Sequence, residues 1–265
     1  MNGKQNLGSL DISIWWFREI VIIMSHIEEI KRLGIRAFDN QEIDINDILY
    51  IDVFYSALEN VEHRYIVDET PSANAENEVI ETSYTSRVII KINELFGNHA
   101  NNPYGLDCVG PEKKGLFSVG DEANMIIKHP DIVIHKGDKP STGTQEIICE
   151  IKRLSNLGPS DMIYDLNKLI KYSNQRNWGN PYRVAIFLVY CGTKFQLENI
   201  VSGYRNGTYS VEKLLYDDTE EKMTFSAFVT KHQERLKNIL CICHSEEGKV
   251  EVCTVYDVAK SKIMH

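Results

Sequence analysis

Two short apolar runs carry charge where a core strand tolerates it poorly. Ile132-Val133-Ile134 follows Pro130-Asp131, and Gln145-Glu146-Ile147-Ile148-Cys149 leads into Glu150-Ile151-Lys152. The stretch between them, Lys136 to Thr144, is rich in Gly, Pro, Ser and Asp, so the two runs read as a β-hairpin. Side chains alternate along a strand, which puts Glu150 and Lys152 on one face and Cys149 and Ile151 on the other. Eighteen residues separate Asp131 from Glu150. The pairing therefore gathers two carboxylates and an ammonium on the middle of a small sheet. Charges on Ile-rich strands are costly to bury unless they bind something, and two neighbouring carboxylates are the usual oxygen seat for Mg2+ or Mn2+.

The rest of the chain reads as a folded α/β protein around this hairpin. At 265 residues with 43% apolar and 25% charged residues, it has ample material for a core. Residues 11 to 33 carry apolar positions at helical spacing and end at Gly34; a second helix is expected from about Asp47 to Tyr65, capped by Asn46 or Asp44. This helical hairpin makes an N-terminal extension over residues 1–68. Its Trp15 and Trp16 most simply fill core, with a homodimer or partner surface as the alternative. A polar stretch, Asp68 to Asn77, separates the hairpin from a third helix over Glu81 to Phe96. Further on, Ser160 to Tyr172 reads as a helix and Val184 to Tyr190 as a strand. Gly192 to Gly207 reads as loop, Thr224 to Asn238 as a capped helix, and Ile239–Cys243 with Lys249–Val255 as a terminal β-hairpin.

Charge and cysteine usage bound the setting. A net charge of −9 excludes a diffuse electrostatic binder of phosphate backbones. Between Lys152 and Arg183, however, six cations face two acids, Asp161 and Asp165, so positive charge concentrates just after Lys152. Six cysteines at 108, 149, 191, 241, 243 and 253 lie largely in apolar runs, with no secretory signal and no membrane span, and the expectation is a reduced, cytoplasmic protein. Cys241, Cys243, His244 and Cys253 lack the paired spacing of a zinc site and read as strand packing.

The Pro130-Asp131, Glu150 and Lys152 arrangement resembles the PD-(D/E)xK nuclease superfamily. The helix from Glu81 is similar to the first core helix of that fold, with Glu81 matching its additional acid. Leu106-Asp107-Cys108-Val109 is similar to the first core strand of a set of uncharacterised bacterial members, and the helix from Ser160 and the strand from Val184 to their later elements. His129 stands where those proteins usually carry Arg. The resemblance covers roughly residues 75–192. It implies a restriction-endonuclease-like αβββαβ core, with residues 193–265 as a C-terminal α/β addition packed on it.

The resemblance also implies a function: metal-dependent hydrolysis of phosphodiester bonds in DNA or RNA, with endo or exo cleavage left open. Asp131 and Glu150 would ligate Mg2+ or Mn2+ with the Ile151 carbonyl, Lys152 would hold the attacking water or neutralise charge on phosphate, and Glu81 would complete the coordination. Lys168, Lys171 and Tyr172, extended by Arg176 and Arg183 with Trp178 as a stacking surface, would bind the nucleic acid. His129 and His135 read as hydrogen-bonded strand histidines or as acid/base helpers. Each residue also has an ordinary reading: Asp131 as strand-entry punctuation, Glu150 and Lys152 as a solvent-facing pair, Glu81 as an acid favoured at a helix N-terminus. The alternative function is a catalytically silent nuclease-fold protein that binds nucleic acid or a protein partner.

Overall fold

In the hairpin that bears these charges, β2 (Ile132–Lys136) pairs antiparallel with β3 (Gln145–Arg153), Ile134 opposite Ile147. The computed structural model describes residues 28–37, 41–67, 77–97, 106–109, 130–136, 145–173, 182–211 and 221–261. Trp15, Trp16, His129, Arg176 and Trp178 lie outside those residues.

The protein is a mixed α/β structure. Its six-stranded sheet has the order β1-β2-β3-β4-β7-β8, where β1 is Leu106–Val109, β4 Val184–Tyr190, β7 Ile239–His244 and β8 Val250–Thr254. Strands β1, β2 and β3 run antiparallel in succession, β3, β4 and β7 run parallel, and β8 returns antiparallel to β7. The terminal hairpin thus widens the same sheet. Parallel central strands are covered on both faces, and accordingly all seven residues of β4 are buried. A separate two-stranded sheet joins β5 (Thr208–Val211) to β6 (Glu221–Thr224).

Alternation divides the apolar side chains into two layers. Ile132, Ile134, Ile147, Cys149, Ile151, Ile186, Leu188, Leu240 and Ile242 pack on one face with α1 (Ile45–Glu59), α2 (His63–Ile66) and α3 (Asn77–Phe96). Val133, Ile148, Phe187, Val189, Cys241 and Cys243 pack on the other with α4 (Pro159–Tyr172), α5 (Lys194–Tyr204), α6 (Phe225–Lys231), α7 (Gln233–Leu236) and α8 (Val255–Lys260). The first layer runs from Ile30 to Val252, so described parts of the N-terminal and C-terminal stretches share it with the middle of the chain.

Local chemistry sets the helix limits. Residues 28–33 are helical and close at Gly34, whose φ of 62° suits a residue without a Cβ. Asp44 caps α1 by accepting from the Asn46 and Asp47 amides while Asp47 accepts from Asp44, a reciprocal capping box. The helix expected to reach Tyr65 stops at Glu59, where Asn60 turns its side chain onto the Ser56 carbonyl, and α2 starts afresh. The stretch from Gly192, expected as loop, holds α5 because Thr193 and Gln196 form another capping box and Leu197 and Val201 bury one stripe. The helix expected over Thr224 to Asn238 is two helices broken at His232. All six cysteines are free and buried, and Cys241 lies opposite Cys253 in the β7–β8 ladder. No helix among the described residues is long and apolar enough to cross a membrane.

Helix α3 is pinned to the sheet by a buried aromatic contact that also sets the height of Glu81. Tyr84, one turn after Glu81, stacks on Tyr190 at 4.1 Å, and its hydroxyl lies 2.7 Å from His244 Nδ1. His244 is fully buried with no partner at Nε2, and burial lowers its pKa to about 4. The neutral ring is therefore favoured in the fold, whereas the unfolded chain takes up the proton near pH 6.5. Stability from this group is present above pH 6.5 and lost as pH falls towards 4, by up to about 3 kcal/mol. His244→Gln should remove that pH-dependent loss. The check is urea unfolding of both proteins from pH 7 to 4, where a constant difference would count against a buried neutral histidine.

Candidate functional site

Strand β3 carries the site because its pairing and alternation leave Glu150 and Lys152 no other face. Glu150 sits opposite Phe187 and Lys152 opposite Val189, in the apolar layer covered by α4. Only 1% of Glu150 is exposed. Asp131, at the bend just before β2, is held by its backbone: its amide donates to the Cys149 carbonyl at 3.1 Å, and its Oδ2 accepts from the Ile151 amide at 2.7 Å. Asp131 is thus fixed to the strand that carries the other two residues.

Helix α4 completes the cluster. It opens with Pro159 at its first turn and Asp161 nearby, both suited to a helix start, and lays Met162, Leu166 and Leu169 on the sheet. Asp165 and Lys168, three residues apart, interrupt that apolar stripe and meet β3. Lys168 Nζ lies 2.6 Å from Glu150 Oε2 and 3.4 Å from Asp165 Oδ1. Lys152 Nζ lies 3.4 Å from Asp165 Oδ2 and 3.7 Å from Glu81 Oε1. Glu81 comes from α3, on the opposite layer, and its carboxylate accepts from the Arg153 amide where β3 leaves the sheet.

The result is an alternating chain of charges: Glu81, Lys152, Asp165, Lys168, Glu150, with Asp131 beside it. Four carboxylates against two ammonium groups leave two negative charges uncompensated when all are ionised. Burial pushes the carboxyls of Glu81, Asp131 and Glu150 up, only partly offset by Lys152 for Glu81, by the Ile151 amide for Asp131 and by Lys168 for Glu150. Burial works against both ammonium groups as well, yet the surrounding carboxylates outweigh it and raise them: Asp165 and Glu81 for Lys152, Glu150 and Asp165 for Lys168. Glu150 Oε1 is buried with no hydrogen-bond partner, and Asp165 Oδ2 has only the Lys152 ammonium at 3.4 Å. Such atoms are costly to leave unmatched.

A divalent cation fits the donor set: it needs hard oxygen ligands, and its charge equals the deficit of the cluster. Asp131, Glu150 and Glu81 could hold it. Among the described residues no three His, Cys, Asp or Glu side chains stand together as a ready-made metal cage. Lys168 takes one Glu150 oxygen, the Ile151 amide takes one of Asp131, and Glu81 comes from the opposite layer. Ile151 itself sends its side chain into the first apolar layer.

The residues expected to bind nucleic acid are placed differently. Lys168 is 6% exposed and belongs to the charge cluster, and Tyr172 packs into the second apolar layer. Arg183 grips the N-terminus of α1, with Nε and Nη2 each 2.6 Å from the Asp47 carboxylate and Nη2 3.3 Å from Asp44. Its fork is matched to that cap. Lys171 is half-buried at the last turn of α4. His135 is half-buried on β2, opposite Asp107 and Gln145. Sequence reasoning missed Asp165, although a charged pair flanked by Leu166 and Leu169 on an amphipathic helix was a readable signal. Comparison of the chain with protein-family models, curated proteins and solved structures returns no match.

Proposed function

We propose that the protein is a divalent-metal-dependent nuclease, hydrolysing phosphodiester bonds in DNA or RNA at the cluster around Glu150. The observation that carries the reading is strand β3 itself: Lys152 pairs with Glu81, the Ile151 amide holds Asp131, and Glu150 keeps one buried carboxylate oxygen unmatched. The order from α3 through three antiparallel strands, α4 and a parallel strand supports a restriction-endonuclease-like αβββαβ core.

A bound Mg2+ or Mn2+ would supply an activated water and charge neutralisation on the scissile phosphate. Asp131 and Glu150 would orient it, with Glu81 as the further acid. Lys152 stays protonated through neutral pH because Asp165 and Glu81 flank it, so it offers a fixed positive charge to phosphate and does not take a proton from water. Asp165 aims that ammonium by holding it from the α4 side.

The second reading, a silent module that binds nucleic acid or protein, is favoured by one specific contact: Lys168 already satisfies Glu150 Oε2 without a metal. Incubation of purified protein with labelled single- and double-stranded DNA and RNA, with Mg2+, Mn2+ or EDTA, separates the two. Products that appear only with metal support the nuclease. Binding without products, together with no heat of Mn2+ binding, supports the silent module.

A further inference from the structure

A cleft of about 300 Å3, its open mouth included, is lined by Arg36, Arg183 and Arg235. It opens past the C-terminal end of α4, beside Ser173, and shares no residue with the charge cluster. Three guanidinium groups around one cleft are notable in a chain of net charge −9. Brought together they repel one another, and an anion placed among them relieves that repulsion. They come from three distant stretches, each fixed by its backbone. The Arg36 amide donates to Asn238 Oδ1 at 3.0 Å and Asn238 Nδ2 donates to the Glu234 carbonyl at 3.1 Å, so one side chain ties the Arg36 segment to α7, which carries Arg235. The Arg183 amide donates to the Gln145 carbonyl at 3.0 Å, while its Nε and Nη2 stay on Asp47 and Asp44. Arg183 is thus a fixed wall with Nη1 outside those ion pairs, and the exposed Arg36 and Arg235 have the reach to close on a ligand. Ala37 and Ala185 also line the cleft, and their short side chains leave it open.

We propose that this cleft is a phosphate-monoester site, taking the terminal phosphate of a nucleotide or of a nucleic-acid strand. A phosphate monoester carries about two negative charges and three acceptor oxygens, so it can engage more than one guanidinium at once. A carboxylate has two oxygens and is spent on a single fork. The cleft is at the small end of ligand cavities, so the phosphate head enters and whatever bears it stays outside. Because no lining residue belongs to the cluster around Glu150, the site does not depend on the nuclease reading.

The test is calorimetry at low ionic strength, with EDTA present so that any strand stays intact. The probes are AMP against adenosine, and a short single DNA strand with phosphate ends against the same strand with hydroxyl ends. In the wild type the phosphorylated member of at least one pair should bind more tightly by about tenfold or more, and Arg36→Gln and Arg235→Gln should each remove most of that preference. Both replace exposed side chains, so the fold does not depend on them. Arg32→Gln, which removes the same charge from an exposed arginine outside the cleft, should leave the preference intact. A preference for AMP places the ligand among free nucleotides, and one confined to the strand places it at strand ends. No preference for phosphate in the wild type, or one that survives both cleft variants, overturns the site. An equal loss in Arg32→Gln also overturns it, since diffuse charge would then account for the binding.

Discussion

Asp131→Asn, Glu150→Gln and Lys152→Gln should each lower metal-dependent cleavage by about a hundred- to a thousandfold, the loss typical of removing one preorganised charge-stabilising group. Asp131→Asn and Glu150→Gln keep the size of the side chains they replace, and Lys152→Gln keeps a polar group at a position 23% exposed. The side-chain carbonyl introduced by Asp131→Asn would still accept from the Ile151 amide, and the side chain introduced by Glu150→Gln would still fill the space beneath α4. Glu81→Gln should be milder, about tenfold, because that carboxylate stands at 3.7 Å from Lys152 and shares the task of holding it with Asp165. The measurement is single-turnover cleavage of labelled DNA and RNA over a range of Mg2+ concentrations, with circular dichroism as the folding control. Rates within tenfold of wild type for all three variants would remove the cluster from catalysis.

The second large effect concerns stability without metal. Lys168→Met should cost about 3–5 kcal/mol, because Glu150 is left as a buried carboxylate with no counter-charge. Adding Glu150→Gln to it should recover most of that loss. The desolvation cost falls on the unpaired charge, so removing both charges is far cheaper than removing one. Urea unfolding of the four proteins of this cycle, with EDTA present, measures the coupling directly. A double variant as unstable as Lys168→Met would mean that the lysine stem, not its charge, supplies the stabilisation.

Opposite demands meet in this one cluster. On the proposed nuclease reading, catalysis would need the uncompensated negative charge to attract a cation, and folding needs that charge held in check. Lys152 and Lys168 meet the second need: both flank Asp165, and Lys168 also holds Glu150 Oε2 while Oε1 stays unmatched. Charged groups buried together in this way give up some stability.

Much of the architecture could be read from residue pattern. The β2–β3 hairpin, α4, β4 and the β7–β8 hairpin follow from apolar runs bounded by turn residues, because period and punctuation are local properties of the chain. The common face of Glu150 and Lys152 follows from the same alternation. Where the reading fell short, side chains act locally in ways the apolar pattern does not record. Asn60 ends α1 through its own hydrogen bond, and Thr193 with Gln196 starts α5 in a stretch that looks like loop.

What the sequence by itself determined is the identity of the strand that bears Glu150 and Lys152, and the presence of Asp131 beside it. Only the tertiary structure decided which other charges join them. Asp165 and Lys168 are ordinary helix residues until α4 is laid across β3, and Glu81 belongs to a helix on the far layer that reaches the site only past the end of the sheet. Arg183, read as a phosphate-binding cation, is instead committed to the cap of α1 from 136 residues away. Electrostatic partnership depends on distance in space and on burial, and neither is encoded in spacing along the chain.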